Sequence, residues 1–482
     1  MRCSFSTACG LLTAVTIPAA AQTRPAPRPL GAVVATTPAP FGSVSSIRGL
    51  SGGRVLVNDP TRRQVLMLDS SLAIQAVVAD TTPATGNAYS GRFAGLLAYR
   101  GDSTLFVDPQ SLSMLMIHPD GRLGRTMSIP NTQEAAFLAG AQGNPGVDPQ
   151  GRIIYRGGGF RFLGGLNPRG GPPGAGAGAG AGGGRGAGGA DGAAALQNFM
   201  PTLPESIPVQ RIDIRTRKID TVAFFRVPRP SMTMTQTEGR VMMSSKINPI
   251  PLVDEWAALP NGDVAVVRGR DYHVDFVRAD GRTDSAAKVP FNWRRLTDDE
   301  KVAFLDSVKA ARARMPAPTP GAAGPAMAFG SAGGGSAGGP PVPPPGGGGQ
   351  VQVMIMTGGP GSEPPMGGGP AISGGAGGGG RSPIIAPQVT FVEPSELPDY
   401  LPPFAAGAVR ADPLGRIWVR LSLPTPAGTG PLYDILDGNG ALIDHVQLPA
   451  GRLLAGFGAD GSVYLSKREE GGFTTLERAQ FK

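Results

Sequence analysis

Short apolar runs with a period of two recur along the chain, each closed by a turn rich in Gly, Asp, Asn or Pro. Gly52-Gly53-Arg54-Val55-Leu56-Val57 leads into a second run from Gln64 to Asp69. Asp148-Pro149-Gln150-Gly151-Arg152-Ile153-Ile154 returns almost unchanged as Asp412-Pro413-Leu414-Gly415-Arg416-Ile417-Trp418. Asn261-Gly262-Asp263-Val264 and Ala459-Asp460-Gly461-Ser462-Val463 are further copies, and Asp120-Gly121, Asp280-Gly281 and Asp437-Gly438 mark a second turn in the same units. Tight hairpins need positive φ, which Gly supplies without steric cost. Four strands per unit at a spacing of roughly 40 to 50 residues predict an all-β chain folded as a β-propeller. Six units begin near Val44, Phe93, Ala135, Val253, Phe404 and Leu453. The last has only three strands before Lys482, and the segment Leu30 to Thr36 is expected to supply its fourth and close the ring.

Two hairpins carry a likeness to a known family. Asn58-Asp59-Pro60 through Leu66-Met67-Leu68-Asp69, and Val107-Asp108-Pro109 through Ile117-His118-Pro119-Asp120-Gly121, resemble those of the six-bladed NHL/TolB-like propellers. The resemblance implies the fold. It leaves function open, because that superfamily spans sugar lactone hydrolases, lyases and protein-binding modules.

Three departures interrupt the strand pattern. Gly/Pro-rich blocks at about 157–197 and 316–382 lack the apolar content to offset ordering entropy and are expected to be disordered. Within the second, Val351 to Met356 is an apolar island that reads as an extra strand or a sticky segment. A helix is predicted at about 297–314, opened by the capping box Thr297-Asp298-Asp299-Glu300 and striped with Phe304, Leu305, Val308 and Ala311. Met232 to Ile247 reads as an added hairpin. In a four-stranded antiparallel blade, the tight turns after strands one and three share one face of the ring. All the long insertions fall on the other, where function is expected to sit.

Composition narrows the setting. Among 482 residues, 74 are Gly and 49 Pro, so the foldable part is shorter than the chain and reads as one domain over 22–482. Residues 1–21 read as a signal peptide: Arg2, a short apolar stretch from Leu11 to Ile17, and Ala19-Ala20-Ala21 before Gln22. Both cysteines, Cys3 and Cys9, lie within it, so the mature chain has neither a disulfide nor a Cys ligand. A periplasmic or secreted monomer without a transmembrane segment is expected. The net charge of +8 is spread along the chain rather than clustered. That argues against nucleic acid and for an unknown protein, glycan or anionic envelope ligand as partner.

Candidate chemistry is sparse. The ligand-binding candidates on the elaborated face are Arg62, Arg63, Arg92, Glu134, Arg270, Asp271, Tyr272 and His273, with Asp59, Asp108 and Arg268 beside them. Arginines at a mouth favour carboxylate or phosphate, although a solvated rim of unrelated charges gives the same pattern. Asp59 and Asp108 sit before Pro in two units and read as turn stabilisers. His118, His273 and His445 are isolated from one another, no Gly-x-Ser-x-Gly elbow occurs, and no metal or cofactor motif is present. The paired Met232/Met234 and Met354/Met356 could offer thioethers to Cu(I) but read first as packing. No catalytic residue is assigned. The leading expectation is a non-catalytic binding or scaffold propeller. The alternative is a lactonase- or lyase-like enzyme on the same fold.

Overall fold

The computed structural model of the chain describes residues 24–158, 205–228, 231–237, 240–314, 388–426 and 428–481. Six sheets form the blades of a ring, and a seventh, three-stranded sheet stands beside them. Blade 1 pairs Ser46–Gly49, Val55–Asp59, Gln64–Leu68 and Ile74–Ala79 in chain order, each strand antiparallel to the next. Blade 2 runs Gly95–Ala98, Thr104–Asp108, Ser113–Ile117 and Leu123–Ser128. Blade 3 runs Gly146–Val147, Ile153–Arg156, Ser206–Ile212 and Ile219–Arg226. Blade 4 uses Glu255–Ala258, Val264–Arg268, His273–Val277 and Thr283–Ser285. Blade 5 uses Phe404–Ala411, Ile417–Leu421, Thr429–Leu436 and Leu442–Pro449. Blade 6 is Arg452–Phe457, Val463–Arg468 and Thr474–Ala479, completed by Val33–Thr36.

The same turn joins the first and second strands in all six blades. Its first residue donates its N–H to the carbonyl of the fifth: Leu50 to Arg54, Tyr99 to Ser103, Asp148 to Arg152, Leu259 to Asp263, Asp412 to Arg416 and Gly458 to Ser462. Gly151, Gly262, Gly415 and Gly461 take the left-handed conformation these turns require.

The second strands of the blades, such as Val55–Asp59 and Thr104–Asp108, are buried on both faces, which explains their nearly unbroken apolar runs. Val55 and Val57 pack with Tyr464 and Leu476 of blade 6. Leu56, between them, packs with Phe106 and Leu115 of blade 2. The period-two alternation therefore distributes side chains between two neighbouring blades rather than between core and solvent.

Ring closure follows the sequence expectation. Val33–Thr36 lies antiparallel to Thr474–Ala479. The segment before it does more than expected: Arg28–Pro29 pairs in parallel with the outer strand of blade 5, and Arg28 forms an ion pair with Asp444. The N-terminal segment thus clasps blades 5 and 6 together.

One unit boundary is corrected. The run from Ala135 is a short helix, Ala135–Leu138, and the first strand of blade 3 begins at Gly146. Asn131 accepts from the Gln133 N–H and starts the preceding turn, so an Ala-Ala-Phe-Leu run that reads as a strand coils instead. The predicted helix spans Asp298–Ala313 with its Thr297–Glu300 capping box formed. The predicted hairpin is Ser231–Thr237 with Arg240–Ile247, and Gln388–Phe391 adds an unforeseen third strand, parallel to the second. The signal segment, the cores of both Gly/Pro-rich blocks and Val351 to Met356 lie outside the described residues. Among the described residues, no helix is long and apolar enough to cross a membrane.

Candidate active site at the channel mouth

The first strand of each blade is the inner edge of its sheet, so some of its N–H and C=O groups lack a ladder partner. Side chains from elsewhere in the ring cap several of them. Ser46 Oγ accepts from Leu96 N at 3.1 Å, and Asn58 Nδ2 donates to the Ala94 carbonyl at 2.6 Å. Arg410 Nη1 donates to Ala455 O at 2.9 Å, and Asn144 Nδ2 reaches Val409 O at 3.4 Å. Glu255 Oε1 accepts from Gly407 N at 2.7 Å.

Glu255 differs from these other caps in being a carboxyl, which can gain or lose its proton near neutral pH. It is the first residue of blade 4's inner strand, at the end of the channel that bears the insertions, and it is only 9% exposed. Burial pushes its carboxyl up to about 7, against the opposing pull of the Gly407 N–H and of Arg156 and Arg420. Oε1 is held by Gly407, while Oε2 takes no hydrogen bond among the described residues. Arg156 ends the second strand of blade 3. Burial lowers its guanidinium to about 10, and Glu255 opposes that shift. Its Nε is buried without a hydrogen-bond partner among the described residues, and the guanidinium lies 5.5 Å from the Phe225 ring centre. A carboxyl that titrates near neutrality beside a desolvated cation is equipped for proton transfer next to a developing negative charge.

The candidates read from the sequence fall at three places around the ring. Arg62 is exposed, 3.9 Å from Asp59, while Arg63 and Arg92 lie between blades 1 and 2. Glu134 is buried between blades 2 and 3, accepting from the Tyr155 hydroxyl at 2.6 Å and Gly158 N at 3.0 Å. Tyr155 and Arg156 are successive strand residues and point to opposite faces, so Glu134 and Glu255 flank blade 3 rather than converge. At blade 4, Arg270 is exposed. His273 is held by Asp271 at 2.9 Å and Asp275 at 3.1 Å. Asp275 also takes Arg268 at 2.7 Å, which leaves this group an internally paired network.

Tyr272 is corrected as a surface candidate. It is fully buried, and its hydroxyl donates to Asp434 at 2.8 Å. The left-handed turn at φ 47° directs its ring inward. Asp59 and Asp108 are buried turn stabilisers. Asp59 accepts from the N–H groups of Gly42, Ser43, Thr61 and Arg62. Asp108 accepts from those of Ser90, Gly91 and Gln110. His445 lies within a strand, buried beside Arg24. Sequence reasoning missed Glu255 and Arg156. Their signal was a single charged residue at the inner or mouth-side end of an apolar strand.

No protein-family model matches the sequence, and no curated protein does. Among solved structures, a gluconolactonase from Xanthomonas campestris aligns over 94% of this chain and 99% of its own, at 10% identity and TM-score 0.34. A virginiamycin B lyase from Staphylococcus aureus aligns over 93% and 99%, at 10% identity and TM-score 0.33. A calcium-binding regucalcin from Agrobacterium tumefaciens aligns over 93% and 96%, at 10% identity and TM-score 0.33. The resemblance to NHL/TolB-like chains thus narrows to the six-bladed architecture, which rests on this chain's own strand pairing. Similarity at this level carries no argument about chemistry. Among the described residues, no three His, Cys, Asp or Glu side chains converge as a cation site.

Proposed function

We propose that the protein is an exported hydrolytic enzyme whose acid–base group is Glu255, acting on a cyclic or open-chain ester at the channel mouth. This is the alternative of the two sequence readings. The observation that carries it is a buried carboxyl poised near pH 7, with one oxygen fixed by Gly407 N and the other without a hydrogen bond among the described residues. In this reading the Glu255 carboxylate takes a proton from water as the water oxygen attacks the acyl carbon. The Arg156 guanidinium faces the resulting oxyanion. The acyl C–O bond then breaks, and Glu255 returns the proton to the departing alkoxide, leaving a hydroxy acid or an acid and an alcohol.

The test is proton release from a panel of γ- and δ-lactones and short esters, with wild type and Glu255→Gln. Turnover should fall about 10²- to 10⁴-fold in the variant. The wild-type rate should rise with pH through about 7, as the carboxyl ionises. Equal turnover by Glu255→Gln, or no turnover of any panel member by wild type, overturns the reading.

A further inference from the structure

The near-identical turns of blades 3 and 5 agree beyond their glycines. Asp148-Pro149-Gln150-Gly151-Arg152-Ile153-Ile154-Tyr155-Arg156 and Asp412-Pro413-Leu414-Gly415-Arg416-Ile417-Trp418-Val419-Arg420 both end on an arginine at the same position. Counting on equally from the fifth residue of the turn reaches Asn58, Val107, Val267 and Ser466 in the other blades. The second strand runs from the face of tight turns to the face of insertions, so Arg156 and Arg420 stand at the end of the channel where Glu255 lies. Glu255 belongs to blade 4, and its neighbour on either side thus brings a guanidinium to that end.

Arg420 stands behind a gap in the inner strand of blade 5. The ladder pairs Phe404 with Leu421 and Val409 with Val419, so Arg420 alone faces Ala405 to Ala408. Gly407, which holds Glu255, lies in that bulge at φ 73°. Arg410 pairs with Trp418, and Tyr433 with Arg420, which puts Arg410, Arg420 and Tyr433 on one face of the blade.

Charge is unbalanced here. Arg156 and Arg420 both act on Glu255, and Arg420 acts on Arg410. Asp254, the acid next to Glu255, is taken by Arg268 at 2.9 Å and by Gly269 N at 3.2 Å. Among the described residues, the half-buried Arg420 makes no side-chain hydrogen bond or ion pair, and Arg156 Nε is buried without a partner. Burial lowers the Arg410 guanidinium below its usual range, and the Arg420 charge adds to that. Three guanidiniums beside one carboxyl, partly out of water, are relieved by an added anion. The guanidinium fork matches a carboxylate with two parallel bonds. We infer that the channel mouth selects a substrate bearing a free carboxylate, which Arg420 binds while the acyl group lies between Glu255 and Arg156. This rests on the hydrolytic reading of Glu255 and names its substrate class, a lactone or ester that carries a second, ionised acid group.

The test has two arms, both on the full-length protein. In the first, kcat/KM is measured for γ-butyrolactone-γ-carboxylate and for its neutral carboxamide. Wild type should favour the carboxylate by about tenfold or more, Arg420→Met should erase the preference, and Arg420→Lys should keep part of it. In the second, calorimetry measures binding of α-hydroxyglutarate, the ring-opened product, with inorganic phosphate as comparison probe. Arg420→Met should weaken α-hydroxyglutarate by about tenfold or more, whereas Glu255→Gln, which removes a negative charge, should not weaken it. Binding through Arg420 without turnover of either lactone would end the hydrolytic reading and leave the carboxylate site standing. Equal kcat/KM for carboxylate and carboxamide, no binding of α-hydroxyglutarate by wild type, unchanged affinity in Arg420→Met, or phosphate binding as tightly overturns the inference.

Discussion

Arg24 is the residue whose removal tests the ring closure most sharply. It enters from the N-terminal segment and sets Nη2 2.7 Å from Asp434 Oδ1, while Nη1 donates to the Pro290 carbonyl at 2.7 Å. Asp434 is fully buried, and its other oxygen accepts from Tyr272. Burial pushes this carboxyl up to about 6 from an ordinary 3.8, even with Arg24 and Tyr272 holding it down. The folded protein therefore binds this proton more tightly than the unfolded chain does. Ionisation of Asp434 opposes folding by about 3 kcal/mol above pH 6, and that cost vanishes below pH 4. Arg24→Ala leaves a buried anion with one neutral donor, and should cost about 3–5 kcal/mol at pH 7.5. The loss should shrink sharply at pH 5, where Asp434 is already largely protonated and Arg24 has little charge to offset. Asp434→Asn added to Arg24→Ala should recover most of the stability. Urea unfolding of the four proteins at both pH values supplies the double-mutant cycle. A loss below about 1 kcal/mol at pH 7.5, or one equal at the two pH values, refutes the reasoning.

Two further perturbations probe the same region. Burial and the nearby Arg24 charge lower His445 to about 4 from 6.5, so the native state keeps the ring neutral. Its contribution is present above pH 6.5 and is lost as pH falls toward 4, by about 3 kcal/mol; His445→Gln should flatten stability across that window, measured by urea unfolding, and an unchanged slope would count against the assignment. Deleting residues 24–37 removes the strand that covers Thr474–Ala479 and exposes an edge. The variant should self-associate in size-exclusion chromatography, and a stable monomer would mean that blade 6 does not need its fourth strand.

Most of the fold was legible because blade turns carry their own chemistry. Asp412 accepts from the N–H groups of Leu414 and Arg416, and Gly415 takes φ 81°, so Asp-Pro-Leu-Gly-Arg spells the turn locally. Thr297 and Glu300 spell the helix start in the same way. The strand Gln388–Phe391 was hidden because its partners come from another sheet element far back in the chain. The run from Ala135 was misread because a short apolar stretch has no period to separate strand from helix. The site was legible only in part. Exposed arginines such as Arg92 announce themselves by type. Tyr272 does not, because its burial depends on Asp434, 162 residues away. Glu255 was missed for a related reason: its proton affinity comes from the closed ring, and nothing in Glu-Trp-Ala-Ala conveys that.

Glu255 has a structural duty as well as the chemical one proposed, and the two can be separated. A cap needs only an acceptor for Gly407 N, which a glutamine carbonyl supplies as well as a carboxylate. A neutral amide in place of a carboxyl that ionises near 7 also removes a buried charge. If capping is all that Glu255 does, Glu255→Gln should be neutral or stabilising above pH 7, and alanine should cost about 1–3 kcal/mol by orphaning the Gly407 N–H. Evolution would then gain nothing from an acid at this position, because glutamine would do the same work without the desolvation cost. A variant that keeps or gains stability while losing turnover is the signature of a carboxyl kept for its proton. Equal stability and equal turnover in Glu255→Gln would return it to the ranks of Ser46, Asn58 and Asn144, whose side chains finish the inner edges of the ring.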